Sequence, residues 1–166
     1  MWPEGFLSLD SMQLAVTAFF LLLFYAVKID GSSTASLFIW VMHDVSCQLL
    51  NGTIMGLATS YPDIGYGIWY GSWSLAAAAS IYCIYYAHLK WNMVPTRLAL
   101  FLSVSLVTVI FLQCFGFYLR AVLHDRSLDV VYQYGIITIY VAVVPFVIFE
   151  FYSKYFKNIL KTRELF

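Results

Sequence analysis

Charged residues are scarce in this sequence. Only 11% of its 166 residues are Asp, Glu, Lys or Arg, whereas 62% are hydrophobic and 19% are aromatic. Soluble domains usually contain about 25% charged residues. The charged residues of this sequence are too few to cover the surface of a soluble protein of its size. Nine basic residues balance nine acidic ones, which excludes the basic surface of a nucleic-acid-binding protein. The sequence therefore predicts a protein whose principal partner is the lipid bilayer, with no nucleic acid bound.

Sequence motifs for metals, cofactors and nucleotides are also missing. The three cysteines, Cys47, Cys83 and Cys114, lie in apolar runs without CxxC spacing, which disfavours disulfides and zinc. There is no HExxH, GxSxG or Walker loop, and only His43 of the three histidines lies at membrane depth. We therefore expect no cofactor and no metal. No Lys or Arg precedes the first apolar run, so we expect that segment to be retained rather than cleaved as a signal peptide.

Five apolar segments are long enough, or nearly so, to cross a bilayer as helices of about 20 residues. They cover approximately residues 12–27, 35–58, 65–89, 94–123 and 130–152. The connections between them are too short to hold a soluble domain. The sequence predicts an all-α integral membrane protein in which residues 1–166 form one compact bundle of about five transmembrane helices.

The distribution of Lys and Arg predicts the orientation of this bundle. Lys90 and Arg97 flank the third connection, and residues 153–166 form a basic tail that contains Lys154, Lys157, Lys161 and Arg163. Basic residues collect on the cytoplasmic side of a membrane. We expect the N-terminus outside and the tail inside, in the cytoplasmic membrane of a bacterium, where the tail could dock a cytoplasmic protein.

The second apolar segment carries a stripe of polar residues, within the stretch FIWVMHDVSCQLLNGT. At 100° per residue, Asp44, Gln48 and Asn51 fall on one face of a helix with His43 on its flank. A carboxylate that faces acyl chains costs at least ~3 kcal/mol. The stripe is therefore predicted to face the bundle interior or a wet cavity, and Gln113 in the fourth segment is a candidate partner for it.

Three interpretations of the polar stripe remain open at this point. Gln48 and Asn51 could hydrogen-bond to neighbouring helices and fix their packing. Asp44 could take up a proton or cation on a conduction path, with His43 titrating near neutrality. Asp44 could also act as an acid or base in a reaction within the membrane.

Small residues and ion pairs give further predictions about packing. Gly52 and Gly56, and also Gly67 and Gly71, form GxxxG motifs, which allow close helix contact within one chain or between copies. We expect a homo-oligomer. Glu150 and Lys154 have the spacing of an i,i+4 ion pair. Arg120 is expected to extend toward the membrane interface. It is also the one cation close enough to the middle of a predicted span to reach an inward-facing acid.

The stretch from Asp44 through GIWYGSW to YYAHLKW resembles the early helices of membrane-embedded terpene cyclases. Those enzymes place an acid in the second span and an aromatic-rich third span after it. This chain lacks their asparagine-x-x-tryptophan-glutamate signature, the second acid after the tryptophan, and the last two helices. Its size and five spans resemble the translocator-protein family, but without that family's proline- and tryptophan-rich loop motifs. The sequence is therefore assigned to no family.

The sequence leads to three functional hypotheses. The first is a small oligomeric membrane protein that forms or senses a path for an ion or small solute along the polar stripe. The second is a membrane-embedded subunit that anchors a cytoplasmic partner in a larger complex through its basic tail. The third is an intramembrane enzyme that acts on a lipid-like substrate, with Asp44 as its acid or base. The absence of paired carboxylates on one helix favours a protein that is not an enzyme.

Overall fold

The computed structural model describes the backbone of residues 4–163 and the side chains of residues 11–157. That part of the chain consists of helices and the turns that connect them, with no strand. It consists of α1 (Glu4–Ala26), α2 (Gly31–Ser60), α3 (Gly65–Lys90), α4 (Arg97–Phe117), a π-helical turn (Tyr118–Val122) and α5 (Asp129–Arg163). The prediction of an all-α fold with five helices is confirmed.

Two of the described helical segments are long and apolar enough to cross a membrane. They are Arg97–Val122, which joins α4 to the π turn, and Asp129–Lys157 in α5; Ser11–Ala26 in α1 is apolar but shorter. α1 begins earlier than predicted, and α2 and α5 extend beyond their predicted spans at both ends, because hydropathy marks only the apolar part of a helix. In particular, α5 continues to Arg163, so the segment predicted as a separate basic tail is helical over residues 153–163. By contrast, α4 with its π turn lies within the predicted span 94–123.

The five helices form a closed ring of neighbours. Each helix packs against the next one in the chain, and α5 returns to pack against α1. Short connections make successive helices antiparallel. We call the end where α2 meets α3 and α4 meets α5 the upper end of the bundle, and the opposite end the lower end. The core at the centre of the ring is apolar and fully buried, and it includes Leu37, Trp40, Leu98, Leu102, Leu106, Val143 and Val147.

The closest backbone contacts occur at glycines that the sequence motifs did not identify. A Cβ at Gly116 would lie 2.6 Å from Cε1 of Tyr70, and a Cβ at Gly65 would collide with the carbonyl oxygen of Ala58. By contrast, a Cβ on any glycine of the two GxxxG motifs would meet no atom within 4 Å: Gly52, Gly56, Gly67 and Gly71. These four glycines do not form helix contacts within one chain, and their role in contact between copies stays a prediction.

Lys154 joins α5 to α2 at the lower end. Its Nζ donates hydrogen bonds of 2.6 Å to Oδ2 of Asp30 and to Oγ of Ser33, and it lies 3.8 Å from Oε1 of Glu150. The predicted i,i+4 pair is thus confirmed. Ser33 is bonded in turn to Thr96 at the start of α4 (2.9 Å).

Lys154, which the sequence predicts as a docking residue, is bonded within its own bundle to the three partners just described, and its docking role stays a prediction. Lys157 is exposed. The side chains of Lys161 and Arg163 lie outside the described residues, so the docking prediction for them is neither strengthened nor weakened.

His88 ties α3 to the same region of the lower end. Its Nδ1 lies 2.7 Å from the carbonyl oxygen of Ile84, so this nitrogen carries the proton and donates it. In the neutral ring Nε2 then accepts, and Oγ of Ser32 lies 2.7 Å from it. Four helices are therefore joined by polar side chains at the lower end, where the apolar core stops.

Replacing Asp30 by Asn should lower the melting temperature at pH 7 by about 2–4 °C, because a half-exposed ion pair contributes little. Burial raises the pKa of the Asp30 carboxyl, but the hydrogen bonds from Lys154 and Ser33 outweigh it and lower the pKa below its ordinary value of 3.8. A depressed folded-state pKa stabilises the fold above pH 3.8, and this stabilisation is lost as the pH falls through the folded pKa. The difference between wild type and Asp30→Asn should therefore shrink below about pH 3.8.

Thermal melts of both proteins at pH 7 and pH 3 test this prediction. Asp63→Asn serves as the control because Asp63 is exposed in the α2–α3 turn. A difference between wild type and Asp30→Asn that is the same at both pH values would contradict it.

Candidate functional site

The polar stripe of α2 lines a cavity of about 310 Å³ between the helices, which we call the central cavity. His43, Asp44, Gln48 and Asn51 all contribute to its wall, and Gln113 reaches it from α4. The structure thus brings together the five polar residues that the sequence singled out. His43 and Asp44 are buried, with 5% and 4% of their surface exposed. Gln48 is exposed, so the stripe leads from the bundle interior to its surface.

Asp44 receives a hydrogen bond from α1. Nε2 of Gln13 donates to Oδ2 of Asp44 at 2.9 Å, and both side chains are buried. No Lys or Arg is among the residues that line the central cavity. Arg120, considered from the sequence as a cation for an inward-facing acid, instead donates from Nε to Oδ1 of Asp129 at 2.8 Å. Within the described residues, the Asp44 carboxyl is held by the neutral amide of Gln13.

The hydrogen bonds of His43 fix which ring nitrogen faces the cavity. Oγ of Ser80 donates its only proton to the carbonyl oxygen of Ala76 (2.9 Å), so Nδ1 of His43, 3.0 Å from the same Oγ, must be the donor. In the neutral ring, Nε2 then carries the lone pair. It lies 3.5 Å from the Tyr140 hydroxyl and 3.7 Å from Sγ of Cys47. Because Tyr140 and Cys47 also line the central cavity, a proton acceptor is placed at its wall.

Aromatic side chains form much of the remaining wall. Trp69 and Trp73 of α3 meet edge to face, with ring centroids 5.6 Å apart, and Tyr132 and Tyr140 contribute from α5. The Tyr132 hydroxyl donates to Oε1 of Gln113 at 2.9 Å, which holds this ring in place. Aromatic rings attract cations to their faces, so the wall combines a buried acid with groups that favour positive charge.

A second cavity of about 310 Å³ lies at the upper end, and we call it the upper cavity. Trp69 and Tyr132 line both cavities. The other residues of its wall come from the end of α2, the start of α3, the π turn and α5: Met55, Ala58, Thr59, Pro62, Gly65, Tyr66, Arg120 and Gln133. The two shared rings therefore stand between a space deep in the bundle and a space at its end.

Sequence reasoning did not identify Gln13, Ser80 or the shared aromatic pair. Gln13 is an amide within the first predicted apolar segment, which is the same signal that identified Gln113. The described residues contain no group of three or more His, Cys, Asp or Glu side chains placed to hold a metal ion. No family model, no curated protein and no solved structure matches this chain, so its function is inferred from the chemistry of the cavities.

Proposed function

We propose that this chain is an integral membrane protein, a bundle of about five transmembrane helices, that binds a small positively charged solute beside Asp44 on a path through the bundle. The observation that carries this proposal is the central cavity, where His43, Asp44, Gln48, Asn51 and Gln113 meet. Its volume is in the range of small-molecule sites.

The exterior of the bundle supports a membrane location. Large apolar side chains on all five helices point outward, with 62% to 76% of their surface exposed: Leu22, Leu49, Leu75, Phe111 and Phe149. Polar residues that are buried include His43, Asp44 and Gln113 around the central cavity. Large apolar side chains exposed on every helix are unusual for a soluble protein, and they suit a protein surrounded by acyl chains. The lower hydropathy of α2 and α3 follows from the polar and small residues that they carry.

Electrostatics favours a cationic solute. An ionised carboxylate is costly at membrane depth, and a cation beside it offsets that cost. A proton on Asp44 or a cationic solute beside it would offset that cost, and no Lys or Arg is among the described residues of the wall. Gln48 is exposed on the same helix face as Gly52 and Gly56, and we propose that a second copy covers this face. The proposed location is the cytoplasmic membrane of a bacterium.

Intramembrane acid–base chemistry is a second candidate function. The acceptor nitrogen of His43 and the carboxyl of Asp44 line one cavity, as an acid and base acting on one substrate would. Recovery of a chemically changed solute after incubation with the protein would favour it.

Uptake into proteoliposomes tests the proposal. Methylammonium and tetramethylammonium should enter vesicles that contain the protein faster than protein-free vesicles, whereas neutral glycerol should enter both at the same rate. A pH-sensitive dye inside the vesicles reports proton movement in the same preparation. Equal rates for every cation and for protons, with and without protein, would overturn the proposal.

A further inference from the structure

The upper cavity differs from the central cavity in the charged residue of its wall. Arg120 is its one basic lining residue, and no Asp or Glu lines it. Asp129 pairs with this guanidinium at 2.8 Å, so an anionic group here would be held by the remaining N–H donors and not by an uncompensated charge. The upper cavity is therefore a candidate site of its own.

Arg120 is held in a way that leaves most of its donors available. It lies in the π-helical turn Tyr118–Val122; such turns are rare and frequently occur at functional sites. Its Nε donates to Oδ1 of Asp129 at 2.8 Å. The guanidinium has four further N–H donors on Nη1 and Nη2, and the hydrogen bonds of the described residues engage neither nitrogen. Paired donors of this kind bind carboxylate or phosphate oxygens in a bidentate manner.

The Tyr70 hydroxyl is a second, independent observation. Tyr70 is buried with 2% of its surface exposed, yet its hydroxyl has no hydrogen-bond partner among the described residues. Its ring packs against the ring of Tyr132, with centroids 5.6 Å apart, and Tyr132 lines the upper cavity together with Arg120. Buried hydroxyls are rarely left without a partner, and an anion bound to Arg120 would supply one.

The geometry points to the upper cavity as a binding site for the anionic group, a phosphate or carboxylate, of an amphipathic molecule. The Nη nitrogens of Arg120 bind the oxygens, and the Tyr70 hydroxyl donates to one of them. Tyr66 and Trp69 provide an aromatic wall for the apolar part of the molecule, at the depth where Trp and Tyr collect in membranes. The site goes beyond the proposed function and does not depend on it.

Titration of the purified full-length protein in a neutral detergent tests this site. Dodecyl phosphate is added while the fluorescence of Trp69 and the other tryptophans is followed, and inorganic phosphate is titrated separately by calorimetry. We expect saturable binding of dodecyl phosphate. Arg120→Gln should weaken it about tenfold or more, because hydrogen bonds to charged groups are lost. Arg126→Gln, which removes an exposed charge six residues away, should leave it unchanged.

Tyr70→Phe keeps the test decisive if Arg120→Gln fails to fold. It should leave the melting temperature unchanged or higher, because the hydroxyl has no partner, and should weaken binding about threefold or more.

Competition by inorganic phosphate would identify a soluble anion as the ligand, and binding of the amphiphile alone would identify a lipid headgroup; either result supports the site. Asp44→Asn should leave this binding unchanged, which separates it from the central cavity. No saturable binding, or equal losses in Arg120→Gln and Arg126→Gln, would overturn the proposal.

Discussion

Replacing Asp44 by Asn should lower the rate of cation uptake into proteoliposomes at least tenfold, which corresponds to about 1.4 kcal/mol. The amide has the size of the carboxyl, and its oxygen still accepts the hydrogen bond from Gln13, so the cavity keeps its shape. What is lost is the negative charge in a site of low dielectric, where charge interactions are strong. Uptake of methylammonium by wild-type and variant vesicles of equal protein content measures the effect.

The control for this prediction is Asp63→Asn, which removes an acid from the exposed α2–α3 turn and should leave uptake unchanged. Melting temperatures of both variants should stay close to that of wild type. If Asp44→Asn transported the cation as fast as wild type, Asp44 would be a packing residue and the path would not depend on its charge.

Replacing Gly65 by Ala should destabilise the protein by about 1–3 kcal/mol, the usual cost of an overpacked site. The added Cβ would collide with the carbonyl oxygen of Ala58. That atom belongs to the backbone of α2, so it cannot rotate away as the end of a flexible side chain could. The α2–α3 turn must therefore open, and the melting temperature should fall by about 2–4 °C for each kcal/mol lost.

Gly67→Ala is the matched control on the same helix. Its Cβ would meet no atom within 4 Å, and Ala stabilises a helix interior by up to about 1 kcal/mol relative to Gly. Its melting temperature should equal or exceed that of wild type. If copies associate through Gly67 and Gly71, native mass spectrometry should show a smaller oligomer for this variant. Equal destabilisation by both substitutions would contradict the assigned packing of α3.

The helices and the polar stripe could be predicted because both are local patterns. Hydropathy identified the apolar part of each helix, and a turn of 100° per residue placed Asp44, Gln48 and Asn51 on one face. The partner of Asp44 could not be predicted in this way, because Gln13 is 31 residues away and reaches it only through the packing of α1 on α2. Likewise, Lys154 donates a hydrogen bond to Asp30, 124 residues earlier in the chain. The i,i+4 spacing in the sequence pointed only to Glu150 as its partner.

Glycine spacing was a poor guide to close contact for a related reason. GxxxG describes the surface of one helix and not the helix that faces it, so Gly52 and Gly67 were singled out while Gly65 and Gly116 were missed. Gly65 and Gly116 are closely packed because a particular neighbour approaches each of them: the backbone of Ala58 at Gly65 and the Tyr70 ring at Gly116. Only the assembled bundle shows these neighbours.

The most direct test of the central claim is the reactivity of Cys47, which lines the central cavity. Cys83 and Cys114 are exposed and would first be replaced by Ala. A cationic thiosulfonate should then modify Cys47 in membranes several-fold faster than an anionic one of similar size, and Asp44→Asn should abolish that preference. Failure of both reagents to modify Cys47, or equal rates in the presence of Asp44, would contradict a cavity that solutes reach and that favours cations.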